Sequence, residues 1–232
     1  DIDPDFVFHL AAESHVDKSI EVPEIFLKSN VLGTFNMLEV SREHFEKLPP
    51  ERQKVFRFHH VSTDEVFGSL SDKSKFSEKS SYRPNSPYSA SKAASDHFVR
   101  AWRSTYGLPI SISNCSNNFG PWQFPEKLIP VVINNAINLK PIPIYGNGEN
   151  IRDWLYVEDH CSAINKVLEK GKIGEIYNIG GNNEITNLEI INKICEILDE
   201  VHPIAKKKIS FVNYSDLITF VTDRPGHDFR YS

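Results

Sequence analysis

Apolar positions along this chain follow two rhythms, and the rhythms alternate. Phe6 to Leu10 is a short apolar run of the kind a parallel strand covered on both faces requires. Val31, Phe35 and Leu38 then recur at helical spacing. Phe58 to Ser62 reads as a second strand, and Ile110 to Ser113 as a third. Between them, Tyr88 to about Thr105 predicts a helix with Ala94, Phe98 and Ala101 on one face. Strands alternating with amphipathic helices imply right-handed crossovers, so the pattern predicts an α/β fold with a parallel sheet.

After Ser113 the texture changes. Asn117, Asn118, Gly120, Pro121, Pro125, Pro130, Pro141, Pro143, Gly146 and Gly148 mark a loop-rich region, with one helix expected from about Leu128 to Leu139. Asp153 to Val157 looks extended, a helix should follow to about Lys170, and Glu175 to Ile179 is a further strand. Thr186-Asn187-Leu188-Glu189 is a capping box, in which hydroxyl and carboxylate satisfy backbone donors at a helix start. That helix should run to about Asp199. Lys206-Lys207-Lys208 is a charge run expected to form a solvated turn, and no internal repeat is visible.

Composition narrows the class. A chain of 232 residues with 40% apolar content can bury a real core, which excludes disorder. A net charge of −5 argues against a general nucleic-acid binder but leaves room for a local basic pocket. Cys115, Cys161 and Cys195 are an odd number without a CxxC pair, which favours reduced thiols and a cytoplasmic location. No apolar run reaches transmembrane length, no signal peptide is seen, and no membrane partner is expected. The chain opens at Asp1-Ile2-Asp3-Pro4-Asp5 and runs straight into a strand, so it is expected to be a segment of something longer.

Two constellations carry chemistry. In Tyr88-Ser89-Ala90-Ser91-Lys92 the Tyr and Lys share a helix face at i and i+4. A cation fixed beside a tyrosine favours the phenolate, so the pair could take a proton from a hydroxyl. Alone, the same spacing also fits a surface tyrosine near a solvated lysine. The second constellation is Val61-Ser62-Thr63-Asp64-Glu65-Val66-Phe67-Gly68. Adjacent strand residues point to opposite faces, so Asp64 and Glu65 can serve one site only if the strand has ended and the chain is turning, as Gly68 suggests. Neighbouring carboxyl groups beside an apolar sheet end can divide into an acid and a base; a solvated acidic loop is the plainer reading. The nine histidines include no HExxH, and His59 and His60 point opposite ways on a strand, so no metal site is expected.

Together these motifs are far more specific. With His9-Leu10-Ala11-Ala12-Glu13-Ser14-His15-Val16-Asp17, Asn114 to Asn118, Pro125 to Pro130, Arg152 to His160 and Asp223-Arg224-Pro225-Gly226-His227-Asp228, their order and spacing resemble the dTDP-glucose 4,6-dehydratases over essentially the whole chain. The resemblance implies a Rossmann-type parallel sheet with a smaller, discontinuous substrate-binding domain. It implies NAD as cofactor and dTDP-glucose as substrate. Tyr88, assisted by Thr63 and Lys92, would deprotonate the C4 hydroxyl as hydride leaves; Glu65 would remove the C5 proton and Asp64 would protonate the departing C6 hydroxyl. Leu10, Ala11, Ala12, Ser14, Ser29, Ser62, Tyr88 and Lys92 would line NAD. Ser14, Asn117, Glu126, Lys127, Leu128, Pro143, Tyr145, Arg152, Asn187, Arg224 and His227 would contact the nucleotide sugar. Arginine's planar fork suits phosphate oxygens, although Arg152 could instead pair with Asp153 or Asp159, and His227 could be an ordinary loop histidine.

The glycine-rich dinucleotide fingerprint would precede Asp1, and terminal helices would follow Ser232. Phe67 and Phe119 stand where the family more usually has tyrosine. The resemblance assigns residues 1–113 and about 151–182 to the NAD-binding domain, and about 114–150 and 183–232 to the sugar-nucleotide domain. It also implies a homodimer through helices around residues 30–46 and 88–105. Two other readings stay open: another NAD-dependent sugar-nucleotide epimerase or decarboxylase, and a non-catalytic remnant that binds a nucleotide sugar or a partner subunit.

Overall fold

The computed structural model describes residues 2–70, 74–204 and 212–231. The Lys206-Lys207-Lys208 run lies outside the described residues. Strand β1 (Phe6–His9) leads into two short helices, α1 (Val16–Glu21) and α2 (Pro23–Phe26), and a π-helical turn at Leu27–Leu32. That turn runs on into α3 (Gly33–Lys47), and α4 (Pro50–Val55) precedes β2 (Arg57–Thr63). The long helix α5 (Pro87–Tyr106) follows, then β3 (Ile110–Cys115), β4 (Asn117–Phe119), α6 (Leu128–Ile137), β5 (Ile142–Tyr145) and β6 (Ile151–Tyr156). The described chain continues through α7 (Val157–Lys170), β7 (Ile176–Ile179), β8 (Glu184–Thr186), α8 (Asn187–Val201) and β9 (Ile218–Val221).

The four-stranded sheet has the order β1-β2-β3-β7, and every pairing in it is parallel. Its register places Val7 beside Phe58 and Phe58 beside Ile110. Strands β2 and β3 are almost wholly buried, which is why they read as continuous apolar runs rather than alternating ones. One core gathers Leu38, Phe56, Phe58, Val99, Trp102, Ile110 and Ile112 between this sheet, α3 and α5. A second core, with Val132, Ala136, Ile142, Ile144, Ile191, Cys195 and Tyr214, joins α6, α8 and the parallel pair β5-β9. Strand β6 runs between the two regions, parallel to β4 and antiparallel to β8.

Local chemistry explains the element ends. Helix α5 starts with Ser86 accepting from the Ser89 amide at 3.1 Å, continues through Pro87, and stops at Gly107 in the left-handed region at φ 73°. The capping box expected at Thr186 forms: Thr186 Oγ1 accepts from the Glu189 amide at 3.1 Å, and Glu189 Oε2 accepts from the Thr186 amide at 2.8 Å. Helix α5 holds a surprise. Ala94, Phe98 and Ala101 share a face as their spacing requires, but it is the outer face, with Phe98 37% exposed. The inner face carries Ser91, Lys92, Ser95 and Asp96, all buried, because those polar groups bond to the strand ends and to Asn30. The segment after Ser113 also holds more strand than its proline and glycine content suggests: β4, β5 and β8 all lie there.

Candidate active site

Strand β2 delivers the acid pair. Thr63 ends the strand with extended backbone, and its Oγ1 accepts from the Glu65 amide at 3.2 Å. Asp64–Phe67 then coil as one 3-10 turn, so the chain has left the strand before both carboxylates are placed, as the sequence required. Gly68 closes the turn at φ 83°, where a Cβ would sit 2.3 Å from the Arg83 carbonyl oxygen.

The pair is electrostatically divided. Asp64 is buried, its Oδ1 accepts from Thr63 Oγ1 at 3.3 Å, and its Oδ2 has no hydrogen-bond partner among the described residues. Burial, reinforced by the Glu65 charge and opposed by Arg152, pushes its pKa up to about 8. Glu65 is half-buried; burial raises its pKa, while Arg152, Arg224 and Lys127 pull it back. Burial thus raises both carboxyl groups, Asp64 to about 8, and on Glu65 three nearby cations oppose the rise.

Tyr88 lies in the first turn of α5, its amide donating to Ser19 Oγ at 3.2 Å and its ring edge-on to Phe26. Thr63 beside it lowers the proton affinity of the phenol, against the larger effect of burial. Its proton affinity runs opposite to the sequence-based expectation: burial first, then Glu65 and Cys115, hold the phenol well above the ordinary tyrosine range. Lys92 does share the helix face, but its Nζ donates to the Val61 carbonyl at 2.8 Å, and burial lowers its own pKa while Asp96 resists.

Two buried residues that sequence reasoning missed fix this arrangement. Asp96, one turn beyond Lys92, accepts from Ser62 Oγ at 2.8 Å, from the Tyr82 hydroxyl at 2.8 Å and from Asn114 Nδ2 at 3.4 Å. It thereby ties the ends of β2 and β3 to α5. Asn30, in the π-helical turn beside half-buried Ser29, donates to the Glu13 carbonyl at 3.0 Å and to Ser91 Oγ at 2.8 Å, and accepts from the Glu13 amide at 2.8 Å. The loop after β1 is anchored to α5 in this way. A charged or amide residue one helical turn from Lys92 was the available signal for Asp96; nothing comparable marked Asn30.

The remaining candidates form a rim. Lys127 Nζ donates to the Ser14 carbonyl at 2.6 Å and to Ser14 Oγ at 3.0 Å. Asp17, which sequence reasoning also left without a role, accepts from Arg224 at 2.8 Å and from the Tyr145 hydroxyl at 2.9 Å. His227 pairs with Asp223 at 2.6 Å and meets the Tyr145 ring edge-on. Arg152 pairs with neither Asp153 nor Asp159. It is buried, stacks over Tyr231 with its guanidinium carbon 4.4 Å from the ring centre, and donates to the Ile151, Asp228 and Phe229 carbonyls. Asp153 instead accepts from the Gly181 and Asn183 amides.

The other substrate candidates scatter more widely. Asn117 is half-buried on β4, Glu126 and Pro143 are exposed, half-buried Leu128 packs on the second core, and half-buried Asn187 opens α8. Leu10, Ala11, Ala12 and Ser14 lie just past the end of β1, the first three exposed and Ser14 also within reach of Lys127. Small side chains at the carboxyl end of a parallel sheet fit the ribose and nicotinamide of a dinucleotide, which must approach the backbone closely there. Among the described residues, no group of His, Cys, Asp and Glu side chains gathers as a metal site would require.

Over residues 1–232 the sequence matches the GDP-mannose 4,6 dehydratase family. The chain belongs to that family. Within it, the chain is 58% identical over 229 residues to the probable dTDP-glucose 4,6-dehydratase of Sinorhizobium fredii, covering 99% of this chain and 64% of that relative. It is 56% identical over 230 residues to the dTDP-glucose 4,6-dehydratase of Neisseria meningitidis, again covering 99% and 64%. Among solved structures, the dTDP-glucose 4,6-dehydratase DesIV of Streptomyces venezuelae, with NAD and TYD bound, superposes with a TM-score of 0.85 at 43% identity, covering 98% of this chain and 63% of that one. A Bacillus cereus UDP-glucuronic acid 4-epimerase in complex with NAD superposes with a TM-score of 0.81 at 27% identity, covering 99% and 66%. The chain thus spans somewhat less than two thirds of the length of these two curated relatives. The resemblance read from the motifs is borne out, and the fold is the Rossmann-type α/β fold of this GDP-mannose 4,6 dehydratase family. No described helix is long and apolar enough to cross a membrane.

Proposed function

We propose that this chain belongs to an NAD-dependent dTDP-glucose 4,6-dehydratase, a hydro-lyase that converts dTDP-glucose to dTDP-4-keto-6-deoxyglucose. The observation that carries the reading is the Thr63-Asp64-Glu65 turn. It sets Asp64, whose pKa burial raises to about 8, beside Glu65, where three nearby cations oppose the rise. Elimination of water needs that division, and epimerisation has no use for it.

Tyr88, with Thr63 and Lys92, takes the C4 hydroxyl proton. Glu65 then removes the C5 proton, made acidic by the C4 ketone, while Asp64 protonates the C6 hydroxyl as it departs. NAD, when bound, accepts the hydride from C4 and returns it to C6. Leu10, Ala11, Ala12, Ser14, Ser29 and Ser62 hold the cofactor's nicotinamide side. Arg152 faces the substrate as a buried cation that bonds to neutral carbonyls and stacks on a ring, which leaves its charge for a diphosphate. Arg224, His227, Lys127, Tyr145, Asn117, Glu126, Leu128, Pro143 and Asn187 complete the nucleotide-sugar contacts.

The test is direct. The NAD-loaded enzyme given dTDP-glucose should release the 4-keto-6-deoxy sugar, read by mass spectrometry. Because Asp64 must be protonated to donate, the rate should fall as pH rises through about 8. A 4-epimer as the product, or no product, removes the reading.

The two cores support a division into an NAD-binding domain (1–113 and about 151–182) and a sugar-nucleotide domain (about 114–150 and 183–232). Exposed apolar residues on α3 and α5, Met37, Val40, Phe98 and Tyr106 among them, support a homodimer; sedimentation should give twice the monomer mass, and a monomer would refute it. Three cysteines without a disulfide fit a cytoplasmic setting.

A further inference from the structure

Under the proposed function, on which this inference rests, Asp64 gives its proton to the C6 oxygen in every turnover and must be recharged before the next. Its two oxygens are held differently. Oδ1 accepts from Thr63 Oγ1 at 3.3 Å, whereas Oδ2 is buried without a hydrogen-bond partner among the described residues. Beside Asp64, where β2, β3 and β7 end, lies a polar cavity of about 170 Å³.

Several polar atoms in the wall of this cavity are left unbonded. Asn114 on β3 and Asn178 on β7 stand opposite one another in the sheet register, and Ser116 follows directly after β3. Asn114 Oδ1, Asn178 Oδ1 and Ser116 Oγ are each buried and, like Asp64 Oδ2, have no partner among the described residues. Asn114 cannot turn its oxygen elsewhere, because its Nδ2 donates to the Thr63 carbonyl at 3.1 Å and to Asp96 at 3.4 Å. A carboxamide oxygen only accepts, so it needs a donor that the cavity wall does not supply. Buried polar atoms gathered in this way around one space are satisfied by bound water. One water needs roughly 10–15 Å³, so several fit. The wall continues to Lys75 and Asn182, which are exposed and bonded to each other at 2.6 Å, so the cavity runs from buried Asp64 out to solvent. Lys127, Asp17 and Arg224, on the substrate rim, are not part of that wall.

We propose that this cavity is a water-filled proton inlet that recharges Asp64 from solvent. When the Asp64 O–H bond breaks and its proton goes to the departing C6 oxygen, the carboxylate draws a proton from the adjoining water. That water takes one from the next, and the last takes one from hydronium or a buffer acid outside. The cavity waters end as they began, one solvent proton has moved to Asp64, and no electrons change hands. Burial pushes the Asp64 pKa up to about 8, so this transfer runs downhill at neutral pH.

Rapid-quench measurement of product at neutral pH tests the inlet. Asn178→Leu combined with Ser116→Ala dries the cavity and leaves the catalytic and substrate-binding groups in place. In the NAD-loaded variant the first turnover should yield close to one equivalent of keto-deoxy sugar per site at the wild-type rate. Later turnovers should be slower by at least about tenfold, because the general acid is no longer resupplied. Asn178→Ser alone, which keeps polar atoms and room for water, should show no such burst. Steady turnover like wild type in the double variant, or equal slowing of its first and later turnovers, would overturn the inlet. A second measurement needs no variant to fold. A high-resolution crystal structure of the NAD-bound wild type should show ordered waters joining Asp64 Oδ2 to Asn114 Oδ1 and Ser116 Oγ, and a dry cavity would overturn the inlet as well. A wild type that forms no keto-deoxy sugar would sink the dehydratase reading itself and the inlet with it, an outcome distinct from each of these.

Discussion

Glu65→Gln in the NAD-loaded enzyme is expected to build up bound NADH on mixing with dTDP-glucose while product formation falls by about 10²–10⁴-fold, the usual contribution of a positioned acid or base. The amide keeps the size of the carboxylate and some of its hydrogen bonding but cannot accept the C5 proton. Proton removal at C4 rests on Tyr88 and Thr63, which the substitution leaves in place, so oxidation proceeds and elimination stalls. Absorbance of the reduced cofactor and product quantitation should therefore diverge. An epimerase that used Glu65 only as a loop residue would turn over normally. A non-catalytic remnant would show no reduced cofactor in either form. Wild-type-like product formation by the variant would remove Glu65 as the base, and the elimination mechanism with it.

The second large effect is on stability. Phe58→Ala should cost about 3–5 kcal/mol, the range for truncating a buried aromatic side chain. Phe58 is 0% exposed, lies between Val7 and Ile110 in the sheet register, and belongs to the core that also holds Trp102 and Phe56. The sheet on both sides and the helices α3 and α5 over it leave the cavity little freedom to collapse. Urea unfolding followed by circular dichroism should show a lower midpoint with an unchanged slope. A loss under about 1 kcal/mol would mean that the core relaxes around the gap and that β2 is not held chiefly by this packing. Because β2 ends in Thr63, any shift of the strand would also misplace the acid pair.

Much of this was legible in the sequence because local rules and tertiary demands agree there. The strand at Phe6, the capping box at Thr186 and the long helix through Tyr88 and Lys92 are all set by spacing and by residues close together in the chain. Asp64 and Glu65 could be placed in a turn because period-2 geometry forbade anything else for a shared site. Other features escaped because long-range contacts overrule the local signal. Helix α5 buries polar Ser91, Lys92, Ser95 and Asp96 alongside apolar Val99 and Trp102, because its inner face serves the site as well as the core, while Ala94, Phe98 and Ala101 turn outward. Strand β5 forms despite Pro141 and Pro143 because its partner β9 arrives from far along the chain. Asp17 falls within a family motif that implies no role for it; what it does is set by Arg224, 207 positions away. The sign of the Tyr88 shift escapes the sequence for a similar reason: burial and Glu65 outweigh a lysine whose ammonium bonds elsewhere.

The order of strands in the sheet also fixes an order of events during synthesis. Strand β3 finishes at Cys115, but its outer neighbour β7 does not begin until Ile176, after the α6, β5, β6 and α7 segments have been made. At roughly 5–20 residues per second, a ribosome leaves that edge unpaired for about 3–12 s. The nascent chain then presents Ile110 and Ile112 on an open strand edge, a template for pairing with other chains. The interval between the two strands is thus a period in which the open β3 edge is exposed to pairing with other chains.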